Sequence, residues 1–270
     1  MNTNRITINK IQEMKVNGEP ISMVTAYDYT SAKIINSTKI PIILVGDSMG
    51  NNILGYDSTI PVTVEDIIRS TKSVTAGAKK PLIVADLPFF SYQIDIKSTL
   101  LNVRRLIQEG GANAVKLEGG EQVADTVKRI VMAGVPVMGH IGLTPQSVNQ
   151  LGGYKLQGKT SESAKILLND ALALQESGAF AIVLELIPSE LSREITDTLK
   201  IPTIGIGAGI ECDGQVQVFH DLLGLNLEFS PKHSQKYANL AATIKIALDN
   251  YDADVRKKKF PKNENSFFLK

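Results

Sequence analysis

Short apolar runs alternate with amphipathic stretches along almost the whole chain. The runs are ISMVTAY (21–27), IILVG (42–46), LIVADL (82–87), AVKLE (114–118), VPVMG (135–139), AIVLEL (181–186) and IPTIGIG (201–207). They are mostly rich in Val, Ile or Leu and lack polar alternation, which predicts strands buried on both faces, as in a parallel sheet. A weaker eighth strand falls around Val216–Phe219.

The intervening segments read as helices. Thr63 and Asp66 form a T-x-x-D cap after Pro61, and Val64, Ile67, Ile68, Thr71, Val74 and Ala78 follow at helical spacing. Val123, Val127, Ile130 and Val131 repeat the pattern, and Gly134 stands where a C′ glycine belongs. Ala164, Leu167, Leu168, Ala171 and Leu174 form a third stripe, closed by Gly178. Ser189 reads as the cap of a shorter helix carrying Leu191, Ile195 and Leu199, and Lys97–Glu109 ends at Gly110-Gly111. Strand–helix alternation at intervals of roughly 30 residues predicts an α/β fold, most simply a (β/α)8 TIM barrel. A doubly wound sheet would call for fewer strands and a glycine-rich first crossover, and none follows strand one. A helix over residues 7–16 precedes the first strand and is expected to cap the barrel bottom. Residues 1–270 read as one catalytic domain, with 252–270, which holds Arg256-Lys257-Lys258-Lys259, a loose C-terminal tail.

Composition narrows the function classes. A formal net charge of +1 gives no reason for a polyanionic partner, and the absence of Trp argues against a single-strand stacking platform. No nucleic acid is expected. No uncharged apolar run approaches a membrane span, and the N-terminus MNTNRITINK shows neither a signal nor a transit pattern. The single cysteine, Cys212, forbids an internal disulfide. A cytoplasmic globule is the expectation.

Charge appears at particular places. Asp47 follows IILVG, Asp86 follows LIVA, Lys116 and Glu118 lie in AVKLE, His140 follows VPVMG and Glu185 ends AIVLE. Each sits at the C-terminal end of a strand, and a parallel barrel gathers those ends at one rim, where barrel active sites lie. Two carboxylates ~4 Å apart repel by ~4 kcal/mol at an effective dielectric near 20, so Asp47, Asp86 and Glu118 require a shared proton or a cation. Oxygen-only ligands favour Mg²⁺ over Zn²⁺. The plainer reading is that such acids cap the following helices; three on different strands, with Lys116 beside one, weigh against it. An open Mg²⁺ site can chelate a 2-oxo acid, polarise its carbonyl and stabilise the enolate left by proton loss at C3. Lys116 could face the substrate carboxylate or oxyanion, Glu185 could be the general base, and His140 a substrate-side hydrogen bonder. Each of the last two reads equally as an ordinary rim residue in an ion pair or hydrogen bond.

With these residues in view, the chain resembles the ketopantoate (3-methyl-2-oxobutanoate) hydroxymethyltransferase family. VTAYDYTSAK, VGDSMG, ADLPF, VKLEGG, GHIGLTPQSVN, GGYKLQGK, IGIGAG and FHDLLGL carry the resemblance over nearly the whole chain. It implies a Mg²⁺-dependent barrel enzyme of pantothenate biosynthesis that moves a hydroxymethyl group from 5,10-methylenetetrahydrofolate to 3-methyl-2-oxobutanoate, giving 2-dehydropantoate. It implies Asp47, Asp86 and Glu118 as metal positions, Asp47, Ser48, Asp86 and Lys116 as oxo-acid contacts, Glu185 as proton acceptor, and a homodecamer. Asn51-Asn52 and Glu211-Cys212-Asp213 depart from the family pattern, away from the implied catalytic positions.

Other readings stay open here: an oxo-acid lyase of the isocitrate-lyase and phosphoenolpyruvate-mutase type, a Schiff-base aldolase using Lys116, and an inactive scaffold barrel. The polar, glycine-bearing stretch Gly142–Lys159 exceeds an ordinary βα loop and reads as a lid. GIGAG at Gly205–Gly209 lacks the spacing of a dinucleotide fingerprint and reads as close backbone approach. Cys212 has no evident activating base, which speaks against a nucleophile.

Overall fold

The computed structural model describes residues 5–226 and 231–269; the first four residues of the N-terminal stretch and Lys270 of the tail lie outside them. Eight parallel strands close into a barrel in chain order: β1 (Ile21–Thr25), β2 (Ile42–Val45), β3 (Leu82–Asp86), β4 (Ala114–Lys116), β5 (Val137–Gly142), β6 (Ala181–Glu185), β7 (Thr203–Ile206) and β8 (Gly214–Gln217). The ring is completed where Ile21 of β1 registers with Gly214 of β8. The chain is a (β/α)8 TIM barrel.

Local chemistry sets the helices. Thr63 accepts from the Asp66 amide and Asp66 reaches back to Thr63, a full capping box opening the helix Val64–Gly77. Gly134 (φ 89°) and Gly178 (φ 93°) follow the helices Ala124–Met132 and Ser161–Glu176 in the left-handed conformation that glycine adopts without strain. One expected cap is corrected. The helix Ser189–Thr198 begins at Ser189 itself, with Pro188 before it and no side-chain cap, because the extended proline already sets the entry geometry. Two strand limits also differ. β5 runs on to Gly142, so His140 lies inside the strand, and β8 starts at Gly214. The start of β8 carries little apolar signal because a Cβ at Gly214 would collide with the Ile21 carbonyl, so only glycine fits.

The barrel interior is filled by Ile21, Met23, Ile42, Leu44, Leu82, Val84, Ala114, Met138, Ala181, Val183, Ile204 and Val216. The N-terminal helix Ile8–Val16 closes the bottom as expected: Ile11 is fully buried in that cluster, with Ile6, Ile8 and Met14 packed against it. A polar clamp fixes the plug. Asp213 Oδ2 accepts Lys15 Nζ at 2.8 Å and the Thr203 amide at 2.8 Å, while Lys15 also reaches the Thr196 carbonyl at 3.0 Å.

The chain divides into two compact units, Met1–Val218 with the barrel and Phe219–Lys270. In the second, a helix spans Leu240–Arg256, reaching past Asp252 into the segment read as tail, and none of its residues is buried. No helix among the described residues is long and apolar enough to cross a membrane.

Asp213→Ala should remove the clamp and leave the half-buried Lys15 ammonium and Thr203 amide without their acceptor. We expect a loss of about 2–3 kcal/mol of unfolding free energy, read from urea denaturation. An unchanged midpoint would show that apolar packing alone seats the plug.

Candidate active site

Strand parity delivers the site. Leu82 and Val84, Ala114, Met138, and Ala181 and Val183 face the barrel interior. Two positions further along those strands come Asp86, Lys116, His140 and Glu185, and Glu118 is two beyond Lys116. Alternate side chains share a face, so the face filled with Val, Ala and Met at mid-barrel carries acids and bases at the top. Asp47 arrives differently. It lies beyond the end of β2, and Gly46 lets the chain pass close to Asp86, where a Cβ would sit 3.3 Å from Asp86 Oδ2. The Asp47 amide then donates to Asp86 Oδ2 at 2.9 Å.

Asp86 and Lys116 are register partners on adjacent strands, and their side chains form an ion pair of 2.7 Å. Glu118 Oε1 lies 4.0 Å from Lys116 Nζ and 3.5 Å from His140 Nδ1. Lys116 Nζ approaches His140 Nδ1 at 3.3 Å, so Nδ1 is the accepting nitrogen and the proton belongs on Nε2. Nε2 lies 3.1 Å from Glu185 Oε2, within pairing distance though off the line of an ideal hydrogen bond. Asp47, Asp86, Lys116, Glu118 and His140 are all buried, whereas the Glu185 side chain keeps 15% of its surface exposed. Ser48 sits at the mouth with its hydroxyl 2.8 Å from that of Tyr27. His140, read from the sequence equally as a substrate-side hydrogen bonder and as an ordinary rim histidine, lies between Lys116 and Glu185.

Burial and crowding set the charges. Burial, with the Asp86 carboxylate adding to it, pushes the Asp47 carboxyl up to about 7. Burial raises Glu118 as well, against the pull of the Lys116 ammonium. Burial alone would push Lys116 down, but the carboxylates of Asp86, Glu118 and Asp47 outweigh it and hold the ammonium above the usual lysine range. His140 is held below its ordinary value by burial and by the Lys116 charge, which keeps the imidazole neutral at neutral pH. The donor set is hard oxygen at low dielectric. Among the described residues, no three His, Cys, Asp or Glu side chains close into a cage sufficient for a metal ion on their own.

Two residues missed in the sequence complete the cluster. Gln146 is buried, and its Nε2 donates to Asp47 Oδ2 at 2.8 Å and to the Leu87 carbonyl at 3.0 Å. Tyr92, also buried, places its hydroxyl 2.9 Å from Gln146 Oε1. Both carry neutral polar side chains on loops, so neither charge nor periodicity marks them out.

Such a rim suits oxo-acid chemistry generally, and comparison with known proteins narrows it. A family model described as ketopantoate hydroxymethyltransferase matches residues 5–263. The chain belongs to this family. It is 57% identical over 265 residues to the 3-methyl-2-oxobutanoate hydroxymethyltransferase of Dehalococcoides mccartyi strain CBDB1, covering 98% of this chain and 95% of that one. With the Chloroflexus aurantiacus (strain J-10-fl) protein of the same name it shares 56% over 262 residues, covering 97% and 92%. Among solved structures, a phosphonopyruvate hydrolase in complex with oxalate and Mg²⁺ superposes with a TM-score of 0.61 at 12% identity, covering 96% of this chain and 93% of that one. A 2,3-dimethylmalate lyase of the phosphoenolpyruvate mutase/isocitrate lyase superfamily gives 0.58 at 15%, covering 96% and 91%. These likenesses establish the barrel fold.

The family match also covers the long loop after β5. Leu143 donates its amide to the Glu185 carbonyl and Gln157 to the Leu186 carbonyl, each at 2.8 Å, so both roots are tied to adjacent residues beside Glu185. Between them lie the turn Pro145–Ser147 and the short helix Val148–Leu151, then Gly152 (φ 67°) and Gly153 (φ 110°) before the exposed Tyr154. Burial and the Glu185, Asp47 and Glu118 carboxylates raise the Tyr154 phenol, so the ring shares their field. At Gly209 a Cβ would overlap Ser189, as expected for close backbone approach rather than a dinucleotide turn. Burial pushes the Cys212 thiol up, which disfavours a thiolate.

The raised Asp47 carboxyl has a definite sign in the absence of bound cations. Between the ordinary aspartate value and about 7 the folded protein holds a proton that the unfolded chain has released. Stability from this group therefore falls as pH rises through that window and levels off above it. Metal-free wild type should lose stability between pH 5 and about 7 relative to Asp47→Asn, measured by thermal melts in EDTA. Parallel pH profiles for the two proteins would contradict this charge assignment.

Proposed function

We propose that this chain transfers a hydroxymethyl group from 5,10-methylenetetrahydrofolate to 3-methyl-2-oxobutanoate, forming 2-dehydropantoate for pantothenate synthesis, with Mg²⁺ as its metal. The observation that carries the reading is the division of the rim. Three carboxylates and one ammonium are buried together at the ends of β2, β3 and β4, and a partly exposed carboxylate, Glu185, ends β6 and is linked to them through His140.

Asp47, Asp86 and Glu118 fit Mg²⁺. The ion takes hard oxygens, commonly one or two carboxylates with waters and substrate completing the shell, so a closed three-acid cage is unnecessary. Burial, with repulsion from Asp86 adding to it, lifts Asp47, and a bound cation would offset both. When bound, Mg²⁺ supplies Lewis-acid polarisation of the 2-oxo group.

The chain's own residues account for the remaining steps. Lys116, held protonated by its acids, faces the carboxylate or the developing oxyanion of the oxo acid, with Ser48 as a further contact at the mouth. Glu185 removes the C3 proton; its partial exposure leaves it accessible, and His140 Nε2 holds it from the buried side. One water adds to the methylene carbon as its bonds to both folate nitrogens break, releasing tetrahydrofolate, which keeps the two protons of that water, and leaving a formaldehyde-level carbon. C3 then attacks that carbon to form the C–C bond, and its oxygen takes the proton held by Glu185 to become the hydroxyl. The loop after β5 limits bulk water at the reactive methylene carbon. The same reading includes the homodecamer expected of the family, which light scattering would weigh. The lyase or mutase reading draws only on distant likeness of fold, whereas the family match runs nearly end to end.

Two outcomes test the proposal. Wild-type protein should exchange the C3 proton of 3-methyl-2-oxobutanoate for deuterium with Mg²⁺ and without folate, followed by NMR. Glu185→Gln should slow this exchange by roughly 10²–10⁴-fold, the range expected on losing a general base. Exchange at the wild-type rate in that variant would remove Glu185 from its role. In a coupled assay, 2-dehydropantoate formation should stop on adding EDTA and return with Mg²⁺; full activity in EDTA would remove the metal.

A further inference from the structure

Gln146 touches the rim groups of several strands at once. Its amide nitrogen spends both protons, on Asp47 Oδ2 (2.8 Å) beyond β2 and on the Leu87 carbonyl (3.0 Å) at the end of β3. Its backbone amide donates to Glu118 Oε2 at 3.0 Å, beyond β4. The amide oxygen faces the Tyr92 hydroxyl at 2.9 Å. Tyr92 in turn accepts from the Glu118 amide at 3.2 Å, leaving its own proton for Gln146 Oε1 or the Glu118 carbonyl, 3.0 Å away. This network fixes which end of the amide is which. The nitrogen must face Asp47 and Leu87, because the Leu87 carbonyl can only accept, which leaves the amide oxygen to the Tyr92 hydroxyl.

The chemistry of the choice is informative. A cationic side chain between Asp47 and Glu118 would neutralise them and compete with a metal, and an acid would add to the repulsion. A neutral amide donor restrains one oxygen of Asp47 and leaves that group's charge in place. All of these atoms are buried, so water replaces none of the bonds readily.

We propose that Gln146, oriented by Tyr92, is a positioning residue that holds Asp47 and Glu118 in the arrangement that binds the divalent cation, and that it ties the root of the long loop to that arrangement. The proposal rests on the Mg²⁺ reading above. It adds that the loop after β5 is part of the cation site's supporting structure. Groups that orient metal ligands in this way are typically worth 10–100-fold in metal affinity.

The test is Mg²⁺ titration by calorimetry on the full-length protein, without substrate. Wild type should bind. Gln146→Ala should weaken binding about 10–100-fold with native circular dichroism, and Tyr92→Phe, which removes only the hydroxyl, should weaken it less. Because Tyr92 orients Gln146 as well as contacting the Glu118 backbone, adding Tyr92→Phe to Gln146→Ala should cost less than the two separate losses summed, whereas independent packing roles would add. Gln146→Met, of similar size, uncharged and with no donor, should bind no better than Gln146→Ala, which separates hydrogen bonding from space filling. Wild-type affinity in a folded Gln146→Ala or Tyr92→Phe, or additive losses, would overturn the inference while leaving the metal reading intact. A wild-type protein that binds no Mg²⁺ would overturn both.

Discussion

A lysine ammonium buried in a barrel mouth survives only because carboxylates surround it, and the 2.7 Å pair of Lys116 with Asp86 is the closest of these contacts. Removing either member would strand the other in a water-poor site, a loss that typically runs to about 3–5 kcal/mol. The pair follows directly from strand register, since Asp86 and Lys116 are neighbours across the β3–β4 ladder. It also leaves an imbalance: one ammonium faces three buried acids, so without a cation Asp47 and Glu118 are pushed toward their protonated forms, and that unmet demand is what distinguishes a cation site from a self-satisfied ion cluster. The fold maintains that imbalance by holding the acids on a rigid ring.

The bottom of the barrel answers a different demand. Aliphatic side chains fill the interior, and the N-terminal helix adds Ile11 to them without bringing charge inward. The Lys15–Asp213 pair lies at the periphery, partly in solvent, where its contribution comes from hydrogen bonds to Thr203 and Thr196. One end of the molecule is thus built for packing and the other for chemistry, an allocation that parallel strand direction makes available to every barrel.

Much of this could be read from the chain. Continuous Val/Ile/Leu runs ending in Asp, Lys, His or Glu announce parallel strands and their active ends, because burial on both faces and charge at a shared rim leave strong local marks. β8 was blurred because Gly214 and Gln215 carry no apolar signal; its place is set by close approach to Ile21. The start of the helix at Ser189 was misread because Pro188 supplies by backbone constraint what a capping side chain would supply by hydrogen bonding. Gln146 and Tyr92 were out of reach for a deeper reason. A neutral amide and a phenol acquire meaning from partners 26 to 99 positions away in the chain, and no short window contains that information.

The attachment of the long loop to the Glu185 and Leu186 carbonyls has a mechanical consequence. Two anchors on neighbouring residues make a narrow base, like the neck of a bag, so the distal part can rotate about it with little leverage on the strand beneath. Displacement of the segment around Tyr154, between its flanking glycines and Gln157, need not disturb the carboxylate on β6. Access to the cavity and placement of the proton acceptor are therefore mechanically separable in this barrel, although both originate at the same turn of chain.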